Sequence, residues 1–315
     1  MAKIKQIDLS KIKTYSIKSR KSKVRQKDFA KVFDPKRQNF AGFVKSFPDI
    51  LAAKELLEFA DDFVKAVHNN RPRIFLIGAH VIKVGLSPLL VDLIKNKTIT
   101  CIGMNSAAAI HDVESTLFGK TSEDVAKNII NGKFGMARET GEFINGTLKN
   151  SVSEDIGYGS ALGRELIRKK AKNIKNSILA TCYKNNIPVT IHAAIGTDII
   201  HQQPTMDGAV TGEMSFRDFK IFCNVLKDLN GGVVLNIGSA VILPEVFLKA
   251  LTVVRNLGYN VKKFSTANFD MIPQYRPFMN IVTRPTQQGG KGYNFIGHHE
   301  IMIPLFIAII KQKMK

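Results

Sequence analysis

Histidines gather where chemistry would be expected. Of the seven in the chain, His80, His111, His192, His201 and His299, with His298 beside the last, fall in or just after short apolar runs followed by Gly, Ala, Ser, Thr, Asn or Asp. Histidine is the side chain that exchanges a proton near neutral pH, and small polar residues are what a bound ligand can approach closely. One such histidine is ordinarily a structural group. Their recurrence at the ends of predicted strands points to proton transfer or to phosphate binding at one edge of a sheet.

That edge needs a parallel sheet behind it. Ile74 to Ile77 and Thr98 to Ile102 read as strands buried on both faces, and Leu86, Leu89, Leu90, Leu93 and Ile94 recur between them at helical spacing. Strand, crossover helix and strand form a βαβ unit, whose ligands collect at the carboxyl ends, here Gly78-Ala79-His80 and Gly103-Met104-Asn105-Ser106-Ala107. Further strands are expected at Ile187 to Ala193, Val233 to Ile237, Val261 to Phe264 (ending in Ser265-Thr266-Ala267) and Asn280 to Thr283. Helices are expected at Phe43 to Val67, Ala107 to Leu117, Asn173 to Tyr183, Phe216 to Leu229, Pro244 to Asn256 and Ile301 to Met314. Seven glycines between Gly132 and Gly163 mark that stretch as loop-rich. The fold class is α/β, a Rossmann-like parallel sheet with helices on both faces and a helical N-terminal extension. The domains are a basic arm over 1–40 and a single α/β domain over 41–315.

Composition narrows the function classes. The net charge is +20, and residues 1–40 carry 13 Lys or Arg against 3 Asp, half of the excess in an eighth of the chain. Lys18, Arg20, Lys21, Lys23, Arg25 and Lys27 could touch phosphates, but the stretch lacks interleaved aromatic residues to stack on bases, so a solvated arm or a segment docked on an acidic neighbour is preferred to a nucleic-acid contact. Cys101, Cys182 and Cys223 show no metal or disulfide spacing, and the chain reads as reduced and cytoplasmic. The longest apolar run, Ile301 to Ile310, has ten residues and a proline, so no membrane span is expected.

No GxGxxG, GxxxxGK[ST], HExxH or GxSxG motif is present. A metal site in which His298, His299 and Glu300 join His192 or His201 is the less favoured alternative, because adjacent histidines point apart on a regular backbone and HExxH spacing is absent. Ser239, in Gly238-Ser239-Ala240, reads equally as a helix-capping or a phosphate-binding hydroxyl.

Over about residues 74 to 310 the chain resembles the deoxyhypusine synthase family. Asn105, Ser106, Ala107 and Asp112 occupy the T, A, G and final D of its T-A-G-x-x-E-D segment. Ser177-Ile178-Leu179 with Asn186-Ile187-Pro188-Val189 is similar to its S-I-L helix and N-I-P-V strand, and Thr197-Asp198 stands at its T-D-G-S turn. Gly231 to Ser239 resembles the G-G-G strand end, Ser265-Thr266-Ala267 with Asp270 the N-T-A-x-x-F-D segment, and Phe295 to Pro304 the V-Y-A-D-A-T-x-x-F-P segment.

The resemblance implies a homotetramer with sites between subunits. NAD there oxidises a polyamine, and an aminoalkyl group passes through an imine on a lysine to an acceptor. The NAD contacts it implies are Ser106, Ala107, Asp112, Gly238, Thr266, Ala267 and His298, to which the Ser239 hydroxyl is added. His201, His299, Glu300 and Asp198 are the titratable groups placed at the reacting carbon, with Glu300, Asp198 or Asp270 to hold a cationic amine. The family's imine-forming lysine falls on Val282-Thr283-Arg284-Pro285, where no lysine stands, and an arginine cannot replace it. Its catalytic histidine falls near Leu243-Pro244-Glu245. Lys291, in a glycine-rich loop, is the substitute lysine weighed here. The expectation is an NAD-dependent enzyme that oxidises an amine and transfers an aminoalkyl group, with authentic deoxyhypusine formation in question. The alternative is a non-catalytic NAD- or phosphate-binding regulator whose basic arm contacts nucleic acid or a partner.

Overall fold

The computed structural model describes residues 4–315; the first three residues of the basic arm lie outside the described residues. Two units divide the chain, 1–54 and 55–315. In the first, short 3-10 turns at Ile17–Ser19 and Gln26–Asp28 precede helix α1 (Phe40–Lys45), whose N-cap Asn39 accepts from Gly42 N–H. Phe33, Phe40, Phe43 and Phe47 pack around α1, two of the three pairs edge to face. The single helix expected over Phe43 to Val67 is broken. Pro48 has no N–H to donate and disfavours helix at the residue before it, so α2 (Leu51–His68) starts afresh.

The second unit is built on six strands: β1 (Arg73–Ile77), β2 (Cys101–Asn105), β3 (Val189–His192), β4 (Val233–Ile237), β5 (Ser265–Asp270) and β6 (Lys291–Ile296). All pair in parallel, in the order β3-β2-β1-β4-β5-β6. Between and after them in chain order run α3 (Ala79–Lys83), α4 (Ser87–Lys95), α5 (Ser106–Phe118), α6 (Val125–Ile129), α7 (Arg138–Ser151), α8 (Tyr158–Arg168), α9 (Ile178–Lys184), α10 (Gly208–Leu226), α11 (Ile242–Asn256), α12 (Tyr275–Pro277) and α13 (His299–Lys313). One face of the sheet presents Ile74, Leu76 and Val234 to Phe222 and Leu226 of α10 and to Leu243, Phe247 and Leu251 of α11. On the other, Phe59 of α2 stacks on Phe306 of α13, and Phe63 meets Phe75 edge-on. Among the described residues no helix is long and apolar enough to cross a membrane.

Three further expectations fail for instructive reasons. The apolar run Val261 to Phe264 is not a strand; β5 is the polar run after it, Ser265–Asp270, and it is buried along its whole length. Its polarity is absorbed sideways: Asn236, Asn268 and Asn294 stand opposite one another in register, and their amides bond at 2.8 and 2.9 Å. A bonded amide ladder can be buried where an isolated amide could not. The strand expected at Asn280 to Thr283 lies in a π-helical turn over Phe278–Thr283, and the last strand comes later, at Lys291–Ile296.

The loop expected between Gly132 and Gly163 contains α7 and α8. Glycine there serves close packing rather than looseness. A Cβ on Gly159 would lie 2.2 Å from the Val189 carbonyl oxygen of β3, and one on Gly163 2.5 Å from that of Leu179. Two buried carboxylates fasten this corner. Asp112 of α5 accepts from Ser177 Oγ and the N–H groups of Ile178 and Leu179, capping α9. Asp218 of α10 accepts from Gly159 N–H at the start of α8 and Ile191 N–H of β3. Burial raises both carboxyls, Asp112 to about 6 and Asp218 to about 7, against the pull of those hydrogen bonds.

Candidate functional site

The sheet order reverses direction between β1 and β4, and the crevice of a doubly wound sheet opens at that switch point. Here it is filled by main chain. Gly78 follows β1 and Gly238 follows β4; a Cβ on Gly78 would lie 2.2 Å from the Gly238 carbonyl oxygen, and Gly238 has φ +67°, a conformation that favours glycine. Gly78 N–H donates to Ile237 and Gly238 N–H to Phe269. The buried His299 ring covers Gly238, its Nε2 3.2 Å from the Phe269 carbonyl and its Nδ1 enclosed without a partner among the described residues. His80 lies beside it, ring centroids 5.6 Å apart, held below the usual histidine range by burial first and then by His299 and Lys83.

Space opens one step along the same edge, beyond the ends of β2 and β3. A cavity of about 800 Å³ lies over α5, which turns Ala107, Ile110, His111 and Glu114 toward it at helical spacing. Ile110, Phe118, Phe134 and Ile199 give it apolar walls, and Lys83 and Lys120 are its cations. Against them stand four carboxylates, Glu114, Glu123, Glu139 and Asp198, of which Glu139 also pairs with Arg138 at 3.1 Å. A chain of net charge +20 thus surrounds this cavity with more acid than base.

The side chains form a connected set. Thr121 Oγ1 donates to one Glu114 oxygen (2.5 Å) and Thr140 Oγ1 to the other (2.9 Å), while His111 Nδ1 lies 2.6 Å from Thr121 Oγ1. Ser106, at the first turn of α5, donates to Asp198. Burial holds His111 below its ordinary value, with Glu114 pulling the other way. Such a site can receive a cation, orient it, and accept a proton from it.

Of the four groups placed at the reacting carbon, Asp198 lines this cavity. His201 does not: its Nδ1 accepts from the N–H groups of Gly196 and Asp198 at 3.2 Å, shaping the turn that carries Asp198, and its Nε2 is enclosed. His299 is packed at the switch point, and Glu300, outside at the start of α13, lies 3.8 Å from the exposed His298. Among the described residues no hydrogen bond or ion pair joins His299 or Glu300 to Asp198 or His201.

Of the eight groups expected to hold NAD, five are enclosed or hydrogen-bonded within the protein. Ser106 is bonded to Asp198, Asp112 caps α9, and Thr266 donates to the Ile281 carbonyl in mid-strand. Ala267 is enclosed in β5, and the buried Ser239 Oγ accepts from Leu243 N–H in the first turn of α11. Ala107, in the cavity, Gly238, through its main chain, and His298 remain. Lys291 opens β6, so it stands at the amino edge of the sheet and cannot replace the missing imine lysine. Among the described residues no group of three or more His, Cys, Asp or Glu is arranged to hold a metal ion.

The sequence marks His111 only as one histidine of several and passes over Glu114. Their spacing with Ala107 and Ile110 on one helix is the available signal. Thr121 and Thr140 come from separate segments, and nothing local announces them.

No protein-family model matches the chain, and no curated protein matches it in sequence. Solved structures do match. A putative deoxyhypusine synthase from Entamoeba histolytica matches over 90% of this chain and 98% of that one, at 14% identity and a TM-score of 0.54. A conserved putative LOR/SDH protein from Methanococcus maripaludis S2 matches at 17% identity and 0.51, over 83% of this chain and 70% of that one. Unliganded AgrE matches at 15% identity and 0.51, over 83% of this chain, which spans 32% of AgrE's length. The six-stranded parallel sheet with its flanking helices is a remote deoxyhypusine-synthase-like fold.

Proposed function

We propose that the chain is a deoxyhypusine-synthase-like enzyme that binds a cationic amine in the cavity over α5 and acts on it, oxidising the amine and transferring an aminoalkyl group. The observation that carries this reading is the acid-rich lining on a strongly basic protein. Apolar walls suit the methylene stem of such an amine, and the lining carboxylates suit its charged ends. NAD belongs to the proposal as the hydride acceptor that the fold's relatives suggest. Ala107, the Gly238 main chain and His298 are the groups that would hold it, and no step is derived through it. Assembly as a homo-oligomer, a tetramer by resemblance, and a cytoplasmic setting are part of the same reading.

The test is isothermal titration of the whole protein with spermidine, with and without NAD, while absorbance at the NADH band is followed in the same cell. Amine binding that weakens with salt, and NADH formed when both are present, are the expected results. Absence of amine binding at low salt would overturn the reading. The exposed charge of residues 4–40 favours the second reading, a non-catalytic NAD- or phosphate-binding regulator with a nucleic-acid-binding or partner-binding arm. A steep salt dependence of polyanion binding, lost on deleting that arm, together with no turnover, would replace the first reading by the second.

A further inference from the structure

With Glu114 as a carboxylate and the His111 ring neutral, the hydrogen bonds around His111 run in one direction. Glu114 accepts from Thr140 on one oxygen and from Thr121 on the other, as a carboxylate does. The Thr121 hydroxyl has a single hydrogen, and it is directed at Glu114. Toward His111, 2.6 Å away, Thr121 Oγ1 can therefore only accept. The ring nitrogen facing it, Nδ1, must carry the hydrogen. Nε2 then holds the lone pair, and it is not among the polar atoms enclosed away from the surface.

We propose that His111 is the proton acceptor of the cavity, locked as its Nδ1–H tautomer by the Thr121–Glu114 relay so that Nε2 meets the N–H of a bound amine. In the step, an N–H bond of the substrate ammonium breaks, its electron pair stays on the amine nitrogen, and the proton arrives on Nε2. The positive charge of the imidazolium that forms faces Glu114 through Thr121, so the charge is stabilised where it develops. Burial favours the neutral ring beforehand. The other charged groups facing this ring's surroundings are Lys83 of α3, Lys120 and Glu123 of the segment after α5, Glu139 of α7, and Asp198 of the turn after β3. Thr121 and Glu114 are positioning residues in this scheme, and His111 is the catalytic one.

The identity of the proton donor rests on the amine reading above; the tautomer does not. The test is two-bond 1H–15N correlation of histidine-labelled full-length protein without ligand, with His111 assigned by its loss in His111→Gln. The expected spectrum shows a protonated Nδ1 and an unprotonated Nε2 for His111 at pH 8. Thr121→Val, which keeps the shape and removes the hydroxyl, is expected to abolish that pattern, and Thr121→Ser to restore it. A protonated Nε2 in the native protein, or a His111 signal indifferent to Thr121→Val, would overturn the proposal. Spermidine is then added to the native protein: displacement of the His111 Nε2 signal supports the amine as donor. A correct tautomer with no displacement removes the amine and leaves the reading of the cavity to fall separately from the relay.

Discussion

Two neighbouring stretches of one sheet edge have been built in opposite ways. At the switch point between β1 and β4, Gly78 and Gly238 press main chain against main chain and His299 covers them. Over β2 and β3, a short distance along the same edge, a cavity of about 800 Å³ holds a histidine with an open nitrogen and carboxylates with room beside them. Topology marks where a crevice can form, but it does not decide which part of the edge stays open. The difference lies in burial: Asp112, Ser239 and Thr266 are shut inside the protein, whereas Asp198, Glu114 and His111, although hydrogen-bonded to neighbours, keep part of their surface on the cavity.

The largest effect that would test this contrast is on stability. Gly78→Ala has to place a methyl group 2.2 Å from a carbonyl oxygen that belongs to the backbone, so β1 or β4 must move. A loss of about 3 kcal/mol or more is expected in urea melts, at the heavy end of single substitutions. Ala107→Ser adds an atom of similar size where the cavity is, and is expected to stay within about 0.5 kcal/mol of the native protein. Equal losses in both variants would erase the distinction between a closed switch point and an open cavity.

The next effect concerns the carboxylates that face inward. Asp218 is raised to about 7 and Asp112 to about 6 from an ordinary value near 3.8, both by burial. A folded-state value above the unfolded one means that the stabilising contribution is complete below the ordinary value and is lost as pH rises through 6 to 7. Stability should therefore fall between pH 5 and pH 8, by a few kcal/mol at most, since a tenfold change in proton affinity is worth about 1.4 kcal/mol. Asp218→Asn should lower stability at pH 5 by about 2 kcal/mol, since a carboxylic acid's acceptor geometry at Gly159 and Ile191 is disturbed, and should flatten the slope from pH 5 to 8. Denaturation midpoints across that range decide it, and a slope unchanged in the variant would remove Asp218 as its source.

How far these features can be read from the sequence follows the same division. β1, β4 and the parallel arrangement are legible because their strands are apolar and buried on both faces. β5 is displaced because its own residues are polar and its burial depends on asparagines from two other strands, which no window of sequence displays. Gly159 and Gly163 read as loop signals because a glycine that lets two backbones approach looks, in one dimension, like a glycine that turns a chain. The candidate site suffers most. Asp198 and Ala107 stand out in the sequence and do line the cavity, but whether a serine, threonine or aspartate is free depends on the partner that packs against it, and those partners are 65 or more residues away for Ser106 and Asp112.

A smaller effect is expected on ligand affinity. Asp198→Asn and Glu114→Gln each remove one negative charge from the cavity, and each should weaken spermidine binding about tenfold at low salt, about 1.4 kcal/mol. The loss should shrink as salt is raised, because partly exposed charges are screened over about 10 Å at 0.1 M ionic strength. Glu245→Gln, on α11 and paired with Lys249 and Arg276, is the control that should leave affinity unchanged. If the control weakens binding as much as Asp198→Asn does, the amine is responding to overall charge and not to this cavity.

The smallest expected effect separates the basic arm from the acidic cavity. Residues 1–40 hold half of the excess positive charge, and over residues 4–40 the side chains are almost all exposed, including Ile4, Ile7 and Val32. A cationic amine is repelled by such a segment and gains nothing from it, so a chain beginning at residue 41 should bind spermidine with the same affinity as the full chain, within a factor of about two, well under 1 kcal/mol. Polyanion binding should behave oppositely. Heparin retention by the full chain should fall steeply with salt, since each phosphate-like or sulfate contact made by a lysine releases counterions, and the shortened chain should elute early. The two measurements are independent, because one reports a site of four carboxylates and the other a run of thirteen cations. Loss of amine binding on removing the arm would tie the two regions together and make the arm part of the site.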